Sequence, residues 1–173
     1  MSTVVWMFAA FGSLAIGDIA AAIAGGRSGL EADPDLVFTY WGPGAHMALG
    51  AALALNGQHK EGRELIARAM PRYLASGTRI FVPLVHARLA QAFARDGRVD
   101  DAQSQLARAR ALPREDGEAW LEPILLAGAA ELDLRVAGAD VGAAAASSPP
   151  PKRWPSDRAP TRSTATSQRC SET

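Results

Sequence analysis

The sequence predicts an all-α fold: an α-α superhelix of stacked helical hairpins with a period of about 40 residues, followed by a disordered C-terminal tail. Three observations predict it. Gly17, Gly57 and Gly97 lie 40 residues apart, in LAIGDI, LALNGQH and FARDGRV. Pro43, Pro83 and Pro123 keep the same interval, in YWGPGAH, IFVPLVH and WLEPILL. Ala, Leu and Arg are abundant and aromatics make up only 6% of the 173 residues, which favours helix over strand.

Small residues recur with the glycines. Ala10, Gly50 and Ala90 stand seven residues before them, Ala22, Gly62 and Ala102 five after, and Gly29, Ala69 and Ala109 twelve after. Small side chains at fixed places let antiparallel helices approach closely. Leu49, Leu53, Leu65, Ile66, Leu89, Phe93 and Leu106 run between them at helical spacing. Each glycine sits where a first helix must end, a place suited to left-handed backbone angles. Each proline sits near a helix start, where its missing N–H is harmless. Helices are expected over 3–15, 18–31, 36–55, 59–75, 79–95, 99–111 and 117–136, with breaks at Asp33-Pro34, Ser76-Gly77 and 113–117. Gly138 and Gly142 would begin a fourth turn, and there the helical pattern stops.

Residues 1–141 therefore read as one repeat domain and 142–173 as a tail. The tail holds Pro149, Pro150, Pro151, Pro155 and Pro160, and no Leu, Ile, Val, Phe or Met, too little apolar mass to offset the entropy of ordering. Its abrupt Ser/Pro/Thr/Arg composition reads as a frameshift near residues 143–150. At the other end, residues 4–25 are apolar except for Ser13 and Asp18. No basic residue precedes Trp6, as a secretory signal would want, and Asp18 interrupts a membrane span, so a packed hairpin is the expected state.

Eighteen basic and eighteen acidic residues give zero formal charge, which argues against a general nucleic-acid binder. The single cysteine, Cys170, excludes an internal disulfide framework and a cysteine-based zinc site, and it suits a reducing, cytoplasmic setting.

The small-residue spacing resembles the tetratricopeptide repeat. In LAIGDIAAAIAGGRSGLEADP, Ala10, Gly17, Ala22, Gly29 and Pro34 all fall in register. Later units depart from it: Leu74 and Arg114 replace the closing proline, and each unit carries about six extra residues between hairpins. The longer unit is similar to helical repeats of large bacterial signalling ATPases, of cyclase-linked and transcription-regulator types. SGTRIFVPLVHARLAQAFARDGRVDDAQSQLARARAL followed by EAWLEPILLAGAAEL carries this resemblance most strongly, and it covers roughly residues 5–142. In that family the enzymatic domains precede the repeats. No GxxxxGK[ST] loop is present here, so ATP binding does not carry over.

The candidate sites are few. Gly25-Gly26-Arg27-Ser28-Gly29 faintly resembles a phosphate cradle, but it lies within a helical pattern. His46 and His86 occupy equivalent positions, with Leu126 as the third, and no carboxylate or cysteine repeats with them, which disfavours a metal. Tyr40-Trp41, Ile80-Phe81 and Trp120-Leu121 precede the three prolines; they suit joints between hairpins better than peptide anchors. Arg63, Glu64, Arg68, Arg72, Arg98, Asp100, Asp101, Arg108 and Arg110 read as solvated faces.

The expected function is a non-catalytic protein-interaction or regulatory scaffold, a detached C-terminal part of a larger regulator. A protein or peptide would dock in a concave groove bearing His46, Arg79, His86 and Glu122. Neither a cofactor nor a metal is expected, nor direct contact with nucleic acid or membrane. Missing domains of a parent regulator are a second class of partner. Exposed apolar surface after Leu134, where a capping helix is missing, predicts self-association. Two rival readings are a fragment of an ATPase- or adenylate-cyclase-type regulator, and a membrane-associated protein using residues 4–25.

Overall fold

The computed structural model describes residues 3–35, 37, 40–112 and 118–136. All of them belong to the compact unit Met1–Val141. The predictions for the tail, for its boundary, for the 113–117 break and for Cys170 lie outside the described residues. Among those residues the fold is all-α. Its helices are α1 (Thr3–Ile16), α2 (Ile19–Ala32), α3 (Trp41–Leu55), α4 (His59–Ala75), α5 (Val82–Arg95), α6 (Val99–Ala111) and α7 (Glu122–Val136), with a 3-10 turn at Glu118–Leu121.

One device ends α1, α3 and α5. Gly17, Gly57 and Gly97 adopt φ of 86°, 85° and 73°. The N–H of the following residue then reaches back to a carbonyl five positions earlier: Asp18 to Ser13 at 2.9 Å, Gln58 to Leu53 at 2.8 Å and Arg98 to Phe93 at 2.9 Å. This is a Schellman closure, which satisfies carbonyls that the helix end would orphan. The donor residue in each case also starts the next helix, because its carbonyl accepts from Ala22, Gly62 or Ala102. The turn is thus as short as an αα-hairpin allows. Asp18 adds a side-chain cap, its Oδ1 accepting from the Ala21 N–H at 3.0 Å. The charge that interrupts the apolar N-terminal run is therefore a cap between two helices of 14 residues each. No helix among the described residues is long and apolar enough to cross a membrane.

Helix starts depart from the sequence expectation where local turns intervene. α3 begins at Trp41 and not at 36, after a turn in which Asp33 Oδ1 accepts the Val37 N–H at 2.7 Å. α5 begins at Val82 and not at 79, after a turn closed by Val82 N–H to Arg79 carbonyl at 2.9 Å. The last expected helix divides into the 3-10 turn and α7. Pro123 has no N–H to give residue 119, so the ladder changes there. Pro43, Pro83 and Pro123 all fall in the first turn of their helices.

Small residues set how closely the helices pack. A Cβ on Gly50 would stand 2.6 Å from the Gly62 carbonyl oxygen, and one on Gly62 would strike the Gly50 carbonyl, so the backbones of α3 and α4 touch. A Cβ on Gly26 would stand 2.6 Å from Leu49 Cβ, which joins α2 to α3 as closely. In the third pair Ala90 and Ala102 take the Gly50 and Gly62 places, both buried. α3 is enclosed as a result: every residue from Gly42 to Ala54 is buried.

α1 reaches beyond its neighbours α2 and α3. Phe11 stacks on Phe81 with centroids 4.1 Å apart. Arg88 of α5 donates through Nη2 to the Ala15 carbonyl at 2.8 Å and through Nη1 to Gln91 Oε1 at 2.7 Å. Ala15 lies in the last turn of α1, so a guanidinium meets the negative end of that helix. Burial pushes the Arg88 pKa down, the Arg95 charge adds to this, and Glu131 opposes it. Val5 and Ile16 of α1 are exposed, as is Phe8 although its ring lies beside Trp41 and Phe81.

The joint between α4 and α5 is looser than that between α2 and α3. Ile66 stands forty residues after Gly26, and its side chain lies against Gly50 of α3. Leu89, the equivalent of Leu49, lines a cleft beside it.

Two predictions follow from this packing. Gly57→Ala, limited only by left-handed backbone strain, lowers the unfolding free energy by about 1–2 kcal/mol. Gly62→Ala, whose methyl meets a carbonyl, lowers it by about 3 kcal/mol, while Gly12→Ala on the open face of α1 raises it by about 0.5–1 kcal/mol. Urea unfolding followed by circular dichroism ranks the three. Arg88→Ala removes a charged hydrogen bond and costs about 1.5–3 kcal/mol. Hydrogen exchange reads the effect as lost amide protection across α1.

Candidate functional site

Clefts open where each second helix of a pair passes the next pair. The first, of about 540 Å³, has Leu30, Leu49 and Leu65 as its floor and Arg27, Glu31, Glu61, Glu64 and Arg68 around it. The second, of about 330 Å³, lies between α4 and α6 across α5. Ile66, Ala67, Met70, Pro71 and Leu89 give it an apolar wall, and Arg63, His86, Gln105 and Arg108 the polar edge. The third, of about 250 Å³, is formed by α6 and α7 around Leu106, Ala107, Ala129 and Leu132, with Arg110 and Asp133 at the edge.

The lining positions correspond at intervals of forty residues: Leu49, Leu89 and Ala129; Arg27, Ala67 and Ala107; Leu30, Met70 and Arg110. The side chains at these positions differ from one cleft to the next. The first cleft mixes three carboxylates with two guanidinium groups. The second has guanidinium groups and no carboxylate in its lining.

The expected groove residues are not brought together. His46 is fully buried in α3, so the expectation that it lines an open groove is corrected. α1, α2, α4 and α5 surround α3 and leave it no free face. Neither His46 ring nitrogen has a hydrogen-bond partner among the described residues. Burial lowers its pKa to about 4; the Arg68 charge adds to the fall and Asp33 opposes it. Arg79 is exposed in the α4–α5 connection, away from the three clefts. Glu122 is half-buried as the first residue of α7, where a carboxylate suits the positive helix end. Of the four, only His86 lines one of these three clefts. Its Nδ1 lies 2.8 Å from Gln105 Oε1. Burial lowers its pKa, the Gln105 bond opposes this, and the Arg108 charge adds to it.

The remaining motifs are structural in placement. Gly25, Gly26 and Gly29 lie inside α2 against Ala10, Leu49 and Ala45, where helices cross, and form no loop around a phosphate. The aromatic pairs sit at joints: Tyr40 stacks on Tyr73 of α4 at 5.3 Å, and Phe81 links Phe11 to Trp120, the latter at 6.3 Å. Among the described residues no group of three or more His, Cys, Asp or Glu gathers as a metal site would require. Arg63 and Arg108, read from the sequence as solvated, turn out to edge the second cleft. Comparison of cleft positions at forty-residue intervals was the signal that could have found them.

No family model, curated protein or solved structure matches this chain.

His46 makes stability pH-dependent with a definite sign. Its folded-state pKa is depressed to about 4, so the unfolded chain binds more protons below the ordinary histidine value. Stability falls as pH drops from about 6.5 to about 4, by up to about 3 kcal/mol from this group, and levels off below. His46→Leu, matching the equivalent Leu126, flattens that part of the profile. Urea midpoints for the two proteins across this range give the difference.

Proposed function

We propose that the chain is a non-catalytic interaction module, a tetratricopeptide-like α-α superhelix that holds a protein or peptide partner and serves regulation or scaffolding. One observation carries the reading. A cleft lies at each joint between pairs, and lining positions forty residues apart in sequence bear different side chains from one cleft to the next. A recurring frame with a variable lining is how stacked hairpins build recognition surfaces. The identical Schellman closures at Gly17, Gly57 and Gly97 support the repeat. The docking surface is the cleft side, formed with α2, α4 and α6. The side shared by the first helices is closed where α1 meets α5 through Phe81 and Arg88.

A random peptide library displayed on phage tests this on the full chain. Enriched peptides are expected to bind saturably by calorimetry, and their absence overturns the reading. Micromolar affinity for ATP alone would favour the nucleotide-dependent rival instead.

A further inference from the structure

The second cleft differs from the other two in charge and in opening. Arg63 and Arg108 are both exposed at its edge, one on α4 and one on α6, with the apolar wall of Ile66, Met70 and Leu89 between them. Arg63 Nε donates to the His59 carbonyl at 3.3 Å, and neither guanidinium pairs with a carboxylate among the described residues. The corresponding charge in the first cleft, Arg68, has Glu31, Glu61 and Glu64 beside it. Pro71 has no N–H to give the Ala67 carbonyl, so the helix leaves an acceptor at this cleft. The cleft therefore offers two forked cationic donors, a backbone acceptor and an apolar floor.

We infer that this cleft takes an acidic segment of a partner protein, anchored by one or two large apolar side chains between carboxylates. The carboxylates meet Arg63 and Arg108, the apolar anchor covers Met70 and Leu89, and a ligand backbone N–H meets the Ala67 carbonyl. Arginine suits this task because its planar fork binds a carboxylate through two parallel hydrogen bonds. A basic segment is repelled here. The first cleft, where three carboxylates stand with two guanidinium groups, lacks this cationic excess. The inference rests on the interaction-module reading and adds the partner's chemistry and the place where it docks.

The probe is a fluorescein-labelled peptide of alternating leucine and glutamate pairs, with a leucine–lysine peptide as control, followed by anisotropy with the full chain. Saturable binding of the glutamate peptide is expected, at least tenfold weaker to Arg63→Glu/Arg108→Glu and to Ala67→Trp, which fills the cleft. Arg68→Glu in the first cleft is expected to leave binding within twofold, and rising salt to weaken it. Circular dichroism confirms that these exposed substitutions leave the helices intact. Failure of the glutamate peptide to bind, equal binding of the lysine peptide, or equal affinity for the double variant overturns the inference. Library-selected peptides that bind the double variant as tightly as the parent chain also overturn it, while leaving the interaction-module reading standing.

Discussion

The distance at which helix backbones can approach governs this molecule. Where Gly50 meets Gly62, carbonyl oxygens occupy the space a methyl group would need. Where Gly26 and Gly29 meet Leu49 and Ala45, α2 lies almost on the α3 backbone. Such approaches maximise dispersion contacts along two helix surfaces without requiring large side chains. They also explain a core made mostly of alanine and leucine, in which α3 is buried from Gly42 to Ala54. The cleft between α4 and α6 lies where α4 and α5 pack loosely.

Polar groups in this interior play unequal parts. Two of the Arg88 donor nitrogens find Gln91 and the Ala15 carbonyl, while its Nε has no hydrogen-bond partner among the described residues. His46 is neutral at ordinary pH because burial disfavours the imidazolium and the Arg68 charge adds to this, against the opposing pull of Asp33. The two histidines at corresponding positions therefore have different roles: one is a core residue, the other a cleft residue bonded to Gln105. Equivalence in sequence did not carry equivalence in environment, because α1 covers the first and no helix covers the second in the same way.

Much of the architecture was legible in the residues. Left-handed glycines can close a helix almost anywhere, so three at equal spacing marked the hairpin turns, and the helix ends fell within about two residues of expectation. Starts were less legible. Asp33 and Arg79 close local turns through single hydrogen bonds that no periodicity announces. The reach of α1 to α5 was invisible for a similar reason. It depends on the angle between successive pairs, which emerges from side-chain volumes at the joints and not from a pattern in one segment. The cleft arginines were hidden among other exposed charges, since a charge on a helix face looks the same whether it borders water or a neighbour.

The link from Arg88 to the Ala15 carbonyl spans 73 positions of chain. During synthesis at ~5–20 residues per second, that gap corresponds to roughly 4–15 s in which the first helix has emerged but its anchor has not. For that interval the nascent chain carries an oily N-terminal segment with Phe11 uncovered, a substrate for any holdase waiting at the ribosome exit.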